Sequence, residues 1–144
     1  MTYPSFRVLS GTIAVRESLI ELYEARRRGD GDGFAAGFAE DGVFHILGDT
    51  RLLPETGPRH GRRDIARVIK QCYRQYEYVD ALLIDVIVDI NLAAIRRHLT
   101  LRSRETGAVG EFDVMDFIRL RDGEIVELTQ FMDTASLAVM SGRV

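Results

Sequence analysis

The segment EFDVMDFIRL, residues 111–120, places a carboxylate where an apolar side chain is expected. In an extended strand alternate residues share one face, so Asp116 lies on the face formed by Phe112, Val114, Ile118 and Leu120. Burying an unpaired carboxylate is costly, so such a group is normally paired, protonated or functional. Asp116 is therefore the first candidate for acid–base chemistry.

The strand before this segment offers Asp116 a basic partner. If the chain turns at residues 106–107 through a two-residue hairpin loop, Arg97 lies directly opposite Asp116. The same register aligns apolar residues across the two strands and pairs Arg102 with Glu111 on the opposite face. Arg97 and Asp116 are then the charged members of an apolar face, and they are the predicted catalytic residues, with Arg97 orienting Asp116.

Two opposing effects decide what Asp116 does. A nearby guanidinium favours the ionised carboxylate and hence a general base, whereas desolvation favours the protonated form and hence a general acid. The alternative is an inert buried ion pair with Arg97, although desolvation offsets most of the stability that such pairs provide. The sequence leaves these roles open.

The hairpin at Asp122-Gly123 determines which side chains join this face. A three-residue loop, residues 121–123, sets Leu120 opposite Glu124 and Asp116 opposite Leu128. It brings inward Val126, Leu128, Gln130 and Met132. A two-residue loop would instead bring inward Ile125, Glu127, Thr129 and Phe131, and would leave Glu127 without a partner. We favour the first loop, which makes Gln130 a second polar group of the interior.

The order of predicted elements defines the fold class. Apolar spacing predicts a helix from about Thr12 to Arg28, a short second helix in residues 32–41 that ends at Gly42, and a third from about Arg62 to Gln75. Residues 43–47 form a short predicted strand, and residues 48–61 a long loop. Strands follow, and Asp133 is predicted to cap a last helical turn over residues 134–140. This order predicts one α+β domain, residues 1–144, with a curved, mostly antiparallel sheet wrapped around three helices.

Composition argues against several classes of function. The net charge of the 144 residues is −3 and the basic residues are scattered apart from residues 26–28, so no nucleic-acid partner is predicted. No apolar run approaches the roughly 18 residues of a membrane span. The N-terminus lacks the basic and apolar regions of a secretory signal, so a cytoplasmic protein without a membrane partner is expected.

Neither a metal nor a cofactor is predicted. Cys72 is the single cysteine, and it is expected to be a small buried hydrophobic residue rather than a nucleophile. The three histidines lie in separate elements, which is not metal-ligand spacing. The GDGDG stretch at residues 29–33 does not follow a strand and lacks a phosphate-binding lysine, so it is predicted to be a turn between helices.

Three blocks of sequence carry a resemblance to a known family. They are LYEARRRGDGDGFAAGFAEDGVFHI, GPRHGRRDIARVI and DFIRLRDGEIVELTQFMD. In order and spacing they resemble the SnoaL-like branch of the nuclear transport factor 2-like superfamily, which includes ketosteroid isomerases, polyketide cyclases and limonene epoxide hydrolases. The resemblance implies a cone-shaped fold with a pocket between sheet and helices, a hydrophobic small-molecule ligand, and commonly a homodimer through the outer sheet face.

The resemblance carries over only some functional positions. Asp116 matches the acidic oxyanion-hole position of ketosteroid isomerases, but the position of their general base falls on Ile46, and that of their oxyanion tyrosine falls near Leu22, one residue from Tyr23. Arg97 matches the pocket arginine of limonene epoxide hydrolases, whose acidic positions fall on Leu99 and Gln130. In the cyclase branch the matching strand aspartate is the acid–base group, which leaves Asp116 as the best candidate.

Further side chains are predicted to line the pocket. Phe44 and Ile46 match inward positions of the family, whereas His45 between them points away. His60 lies in the long loop that passes near the pocket mouth in this family, and His98 is expected on the outer face of the sheet. The complete predicted pocket consists of Tyr23, Phe38, Phe44, Ile46, His60, Tyr73, Val114, Leu128, Gln130 and Met132.

Two functions remain open at this point. The first is a cofactor-independent enzyme, an isomerase, cyclase, dehydratase or hydrolase, that acts on a hydrophobic oxygenated ring compound through Asp116 and Arg97. The second is a non-catalytic ligand-binding or dimerisation module of the same fold. An open cavity at Asp116 favours the enzyme, whereas an interior sealed by Arg97 favours the module.

Overall fold

The computed structural model describes the backbone of residues 4–144 and the side chains of residues 12–144. Its elements are α1 (Pro4–Arg27), α2 (Gly31–Ala35), β1 (Phe38–Ile46), β2 (Gly57–His60), α3 (Gly61–Gln75), β3 (Tyr76–Asp89), β4 (Leu92–Ser103), β5 (Val109–Arg121), β6 (Glu124–Phe131) and α4 (Thr134–Met140). The strands form one curved sheet in the order β2-β1-β6-β5-β4-β3, which is antiparallel except between β1 and β6. The predicted α+β class is confirmed.

The helices agree with the sequence prediction at three places. α3 begins one residue before the predicted start and turns Ile65, Val68, Ile69 and Cys72 into the core. α4 has its predicted bounds, and the carboxylate of Asp133 accepts a hydrogen bond from the main-chain nitrogen of Ser136 at 3.0 Å. α1 ends one residue early but begins at Pro4, eight residues before the predicted start, since proline suits the first turn of a helix.

The second predicted helix is too long. α2 ends at Ala35, and β1 already begins at Phe38, because that stretch pairs with β6 and the main-chain nitrogen of Ile125 donates to Gly37 at 3.0 Å. Phe34 and Phe38 still meet as predicted, with ring centroids 5.4 Å apart. The predicted long loop also contains a strand, β2, which pairs with β1.

The predicted register between β4 and β5 is wrong by two residues. Arg97 lies opposite Val114, and Asp116 lies opposite Ile95. The cause is a longer hairpin loop, since the main-chain nitrogen of Ser103 bonds the oxygen of Ala108 and residues 104–107 form the turn. A shift of two residues keeps every side chain on its predicted face. Arg102 now lies opposite Val109 and binds Glu77 at 3.1 Å instead of Glu111.

The hairpin between β5 and β6 combines both predicted alternatives. The turn has two residues, Asp122 and Gly123, with φ of 53° and 79°, as a type I′ turn requires. A bulge after Ile125 then shifts the pairing, so that Ile125 is buried, Val126 half-buried, and Leu128 and Gln130 face inward. Asp116 is therefore opposite Gln130 rather than Leu128, and Leu120 opposite Ile125 rather than Glu124.

The core lies between the concave face of the sheet and the helices. The side chains of Phe34, Phe38 and Phe44 have no exposed surface and contact one another edge to face. A second cluster, around Leu101, Phe112 and Leu137, fixes α4 against the other end of the sheet. Among the helices described, none is long and apolar enough to cross a membrane.

Candidate ligand-binding site

Asp116 is the centre of a buried polar cluster. Its side chain has no exposed surface, and its Oδ2 accepts a hydrogen bond from the Tyr23 hydroxyl. Two guanidinium groups contact the same oxygen, with Arg97 Nη2 at 3.2 Å and Arg26 Nη1 at 3.7 Å. The predicted neighbours Arg97 and Asp116 therefore do meet, although diagonally across the strands.

Arg26 is the member of this cluster that sequence reasoning missed. It belongs to the run of basic residues 26–28, but its side chain is buried on the inner face of α1. Leu19, Tyr23 and Arg26 follow one another at intervals of four and three residues, which places them on one stripe of a helix. Because Leu19 and Tyr23 are apolar and aromatic, this spacing was a signal for an inward arginine.

Gln130, which is opposite Asp116 on the neighbouring strand, joins the two guanidinium groups. Its Oε1 accepts hydrogen bonds from Arg26 Nη2 at 2.6 Å and from Arg97 Nη2 at 3.1 Å, and its amide nitrogen lies 3.5 Å from the sulfur of Met132. The guanidinium groups also lie over aromatic rings, Arg26 over Phe34 and Phe44, and Arg97 over Tyr23. Both cations are thus held rigidly.

The charges of this cluster do not balance. Two buried guanidinium groups share the single carboxylate of Asp116, and residues 1–11 contain no acidic residue that could supply another. Burial by itself lowers the pKa of Arg26, but Asp116 and Tyr23 outweigh it and raise that pKa above its ordinary value, so the guanidinium stays charged. Burial and the neighbouring Asp116 raise the pKa of Tyr23 well above its ordinary value, so its hydroxyl stays a donor.

Three polar atoms of the cluster lack a hydrogen-bond partner among the described residues: Arg26 Nη1, Arg97 Nε and Asp116 Oδ1. Two of the three are cationic donors. Buried polar groups are normally satisfied, so unpaired donors at one place call for a partner such as a water molecule, an ion or a ligand. The cluster can therefore accept an additional oxygen atom as a ligand.

A cavity of about 240 Å³ adjoins the cluster. Tyr23, Arg26 and Arg97 line it, together with mostly apolar and aromatic side chains from α1, α3, β3 and β4. Asp116 does not line this cavity, whereas the three residues that contact its Oδ2 do. The wall of the cavity at the cluster therefore consists of the Tyr23 phenol and the guanidinium groups of Arg26 and Arg97. The Asp116 carboxylate is not part of this wall.

The other predicted pocket residues separate into three groups. Tyr73 lines the cavity, stacks on Tyr78 at 4.1 Å, and donates to the main-chain oxygen of Arg26 at 2.5 Å. Five others are buried core residues that do not line this cavity: Phe38, Phe44, Ile46, Val114 and Leu128. Met132 is half-buried and does not line it either. His60 is exposed at the start of α3 and does not line this cavity, so its assignment to the pocket is corrected.

Two histidines and the single cysteine lie where the sequence placed them. His45 is half-buried, and His98 binds Asp113 and Glu111 on the outer face, each at 3.2 Å. Cys72 is a buried free thiol whose pKa burial raises to about 12. Among the side chains of residues 12–144, no group of three or more His, Cys, Asp or Glu is arranged to hold a metal ion.

Solved structures with this fold include proteins of several kinds. An NTF2-like protein from Burkholderia thailandensis superposes with a TM-score of 0.78 at 20% identity, over 88% of this chain and 95% of that one. A proposed isomerase from Rhodopseudomonas palustris gives 0.71 at 19% identity, over 98% of both chains. An LEH-like epoxide hydrolase from M. tuberculosis gives 0.70 at 16% identity, over 92% of both chains.

At these identities the similarity to solved structures shows the fold alone. The comparison with curated protein sequences gives no significant match. The model of the SnoaL-like domain family matches residues 19–128, a range that includes Tyr23, Arg26, Arg97 and Asp116. Because this match spans most of the chain, the chain belongs to the SnoaL-like domain family.

Proposed function

We propose that the cavity binds a small, mainly apolar molecule through an oxygen atom that carries or develops negative charge. The observation that carries this proposal is the shared carboxylate: Arg26 and Arg97 both depend on Asp116 and retain donors without partners. An anionic oxygen bound by these donors and Tyr23 would neutralise the second guanidinium charge, which Asp116 leaves unbalanced. Most of the remaining wall is apolar, which suits a hydrocarbon ring or chain.

Such a site supports isomerase-type chemistry. When a proton leaves the carbon next to a carbonyl group, negative charge develops on the carbonyl oxygen, and fixed donors in a water-poor site stabilise it. Tyr23, Arg26 and Arg97 are fixed donors of this kind, because Asp116 and Gln130 hold them from behind. Asp116 then acts as a positioning residue rather than as the group that exchanges a proton with the ligand.

The second candidate is binding without catalysis. One observation favours it: Asp116 is sealed from the cavity, and the carboxylate that does line it, Glu24, is half-exposed and bound to Arg27. Both candidates require an oxyanion-binding wall, so the binding test below applies to both. They differ only in whether a proton acceptor reaches the bound molecule.

Calorimetric titration with naphthol, an aromatic mimic of an enol, tests the binding wall. Replacement of Arg97 by Gln is expected to weaken binding by about tenfold or more, since a hydrogen bond to a charged donor is lost. Arg96→Gln is the matched control, because Arg96 is the next residue on β4 and its side chain lies on the outer face. Equal affinities of the two variants would remove the basis of the proposal.

We further propose that a second copy of the chain covers the outer face of the sheet. Exposed large apolar side chains of that face include Ile87, Met115, Phe117 and Phe131. Met115 and Phe131 are opposite each other on β5 and β6, so they form a continuous patch with Phe117. Sedimentation should give a dimer that Phe117→Asp dissociates, whereas a monomeric native protein would contradict this assembly.

A further inference from the structure

An open groove of about 640 Å³ lies between α2 and α3, and it shares no lining residue with the cavity at Tyr23, Arg26 and Arg97. Asp32 is the one carboxylate among the described residues that line it. The chain has a net charge of −3, yet five cationic side chains line this groove: Arg62, Arg63, Arg67, Lys70 and Arg74. The groove is therefore positive on a molecule that is negative overall.

Four of these cations form one stripe along α3. Arg63, Arg67, Lys70 and Arg74 follow one another at intervals of four, three and four residues, so they lie on one side of the helix. The buried apolar residues of α3 occupy the opposite side, so the stripe faces solvent. With a rise of about 1.5 Å per residue, the stripe is about 16 Å long. This length suits several anionic groups in a row rather than one small anion.

Carboxylates of the protein do not neutralise the groove. Arg63 and Arg74 have no carboxylate partner among the described residues, whereas three cations do: Lys70 with Asp32 at 3.1 Å, Arg62 with Glu124 at 3.0 Å, and Arg67 with Asp64 at 3.6 Å. All of these side chains are exposed, and exposed ion pairs are weak enough to exchange partners. Two positive charges are thus unpaired, and the others can accept a new partner.

The floor of the groove is narrow and consists of small residues. Ala35, Ala36 and Ala66 line it. The two helices approach closely beside this floor, since a Cβ at Gly31 would lie 2.6 Å from the main-chain oxygen of Ala66. Because alanine has a single methyl group, space remains between the long cationic side chains. The groove is therefore a preformed depression with cations along it rather than a flat charged surface.

The positive region continues beyond the end of α3. Arg74 also lines a neighbouring cavity of about 190 Å³, together with Arg104 and Arg143. Glu105 lines this cavity as well and lies 3.7 Å from Arg143. Arg104 is held in place, because its Nε donates to the main-chain oxygen of Tyr73 at 3.1 Å. The two lined spaces together make a positive surface that is longer than α3.

We propose that this groove binds an acidic segment of a partner protein, whose carboxylates contact the stripe of cations on α3. The fork of donors on a guanidinium group matches the two oxygens of a carboxylate. Side chains on one side of an extended peptide repeat about every 6.6 Å, and the cations of the stripe follow one another about every 4.5–6 Å along the helix. This inference goes beyond the proposed function and does not depend on it.

A nucleic acid fits this groove less well than an acidic peptide. Single-stranded nucleic acids bind by stacking of bases on aromatic side chains, and none of the described residues that line the groove is aromatic. The carboxylate of Asp32 lies within the groove, where it would repel a continuous phosphate backbone. A peptide with separate carboxylates can place a neutral residue beside Asp32.

Fluorescence anisotropy with a labelled oligoglutamate peptide of about eight residues tests this assignment, since such a peptide is longer than the stripe. The native protein is expected to bind it more tightly than oligoglutamine of the same length, and salt should weaken the binding. Arg67→Gln combined with Arg74→Gln should weaken it about tenfold, because two charge contacts are lost. The matched control combines Arg96→Gln with Arg102→Gln, which removes the same charge from the outer face of β4.

A further variant separates docking in the groove from general attraction to a positive surface. Ala36→Leu fills part of the floor without a change of charge, and is expected to weaken binding of the oligoglutamate peptide several-fold. Ala36 is exposed and has right-handed helical φ and ψ angles, so the fold tolerates leucine there. Ala14→Leu, at an exposed position of α1, is the matched control.

Several outcomes would overturn the proposal. They are equal binding of the glutamate and glutamine peptides, equal affinities of the two double variants, and an affinity that Ala36→Leu leaves unchanged. Tighter binding of oligodeoxythymidine with the same number of charges would assign the groove to nucleic acid and overturn the proposal as well. None of these measurements involves naphthol or Arg97, so their failure leaves the proposed function intact.

Discussion

Two neighbouring arginines of β4 make the same kind of ion pair in opposite environments. Arg97 contacts Asp116 at 3.2 Å on the inner face, where the two side chains are 7% and 0% exposed. Arg96 contacts Asp113 at 3.7 Å on the outer face, where they are 49% and 66% exposed. Both aspartates belong to β5, three residues apart, so the alternation of the two strands alone assigns one pair to the interior and the other to solvent.

The two ion pairs differ in how much they depend on fixed neighbouring side chains. On the outer face, water and salt screen the ions, and the pair contributes little. On the inner face the ions cannot exchange partners with water, so each needs fixed neighbours, and Tyr23, Arg26 and Gln130 provide them. The inner cluster costs desolvation energy and retains unpaired donors, which is the basis of the ligand site proposed above.

The largest effect that we expect comes from Asp116→Ala. This change leaves two guanidinium groups buried without a carboxylate, and the free energy of unfolding should fall by about 3–5 kcal/mol. Urea denaturation measures it, and Asp113→Ala, on the outer face of the same strand, should lose less than about 1 kcal/mol. Similar losses in the two variants would mean that the inner pair is as well screened as the outer one.

The coupling between partners sharpens the same comparison. A double-mutant cycle on Arg97 and Asp116 should give an interaction energy of at least about 1.5 kcal/mol, because a charge-assisted contact is lost in a water-poor interior. The cycle on Arg96 and Asp113 should give about 0.5 kcal/mol or less. The order of the two coupling energies is the decisive result, and a larger value on the outer face would contradict our account.

Tyr23→Phe should have an intermediate effect. It removes only the hydroxyl that donates to Asp116, and the expected loss is about 1–2 kcal/mol. The raised pKa of Tyr23 means that its contribution is present below the ordinary tyrosine pKa near 10 and is lost as the pH rises toward the folded value. The native protein should therefore lose more stability than Tyr23→Phe between neutral and alkaline pH, as thermal unfolding can show.

The smallest effect should come from His98 on the outer face. Hydrogen bonds to Asp113 and then to Glu111 raise the pKa of His98 above its ordinary value of 6.5. Because the pKa of His98 is higher in the folded state, its protonation contributes fully to stability below about pH 6.5. This contribution is lost as the pH rises through the pKa of His98 in the folded protein. Comparison of unfolding temperatures for the native protein and His98→Gln across this range should show the difference narrowing; a constant difference would exclude titration as the cause.

Several features could be predicted because they depend on neighbours in the chain. The bounds of α3 and α4 followed from apolar spacing and an N-cap, and the inward direction of Asp116 followed from strict alternation along β5. The turn at Asp122-Gly123 was recognised from its residue types. The length of this turn was not predicted, because the bulge after Ile125 depends on contacts of β6 with its two neighbouring strands, β1 and β5.

Other features depend on parts of the chain that are far apart. The register of β4 and β5 was wrong by two residues, since both registers bury the same faces and differ only in the hairpin loop. Arg26 is separated from Asp116 by most of the chain, so the helical spacing that turns Arg26 inward does not indicate which residue it contacts. The buried carboxylate of Glu55 accepts a hydrogen bond from Tyr76, which lies 21 residues further along the chain.

The sequence by itself therefore determined the elements, their faces and the presence of a carboxylate in an apolar interior, because these follow from periodicity and the cost of burying charge. The tertiary structure alone decided that Asp116 is buried away from the cavity of about 240 Å³ and that Tyr23, Arg26 and Arg97 line this cavity. The physical reason is that burial and the contacts between side chains depend on how distant segments pack, and the spacing of residues along the chain does not encode those distances.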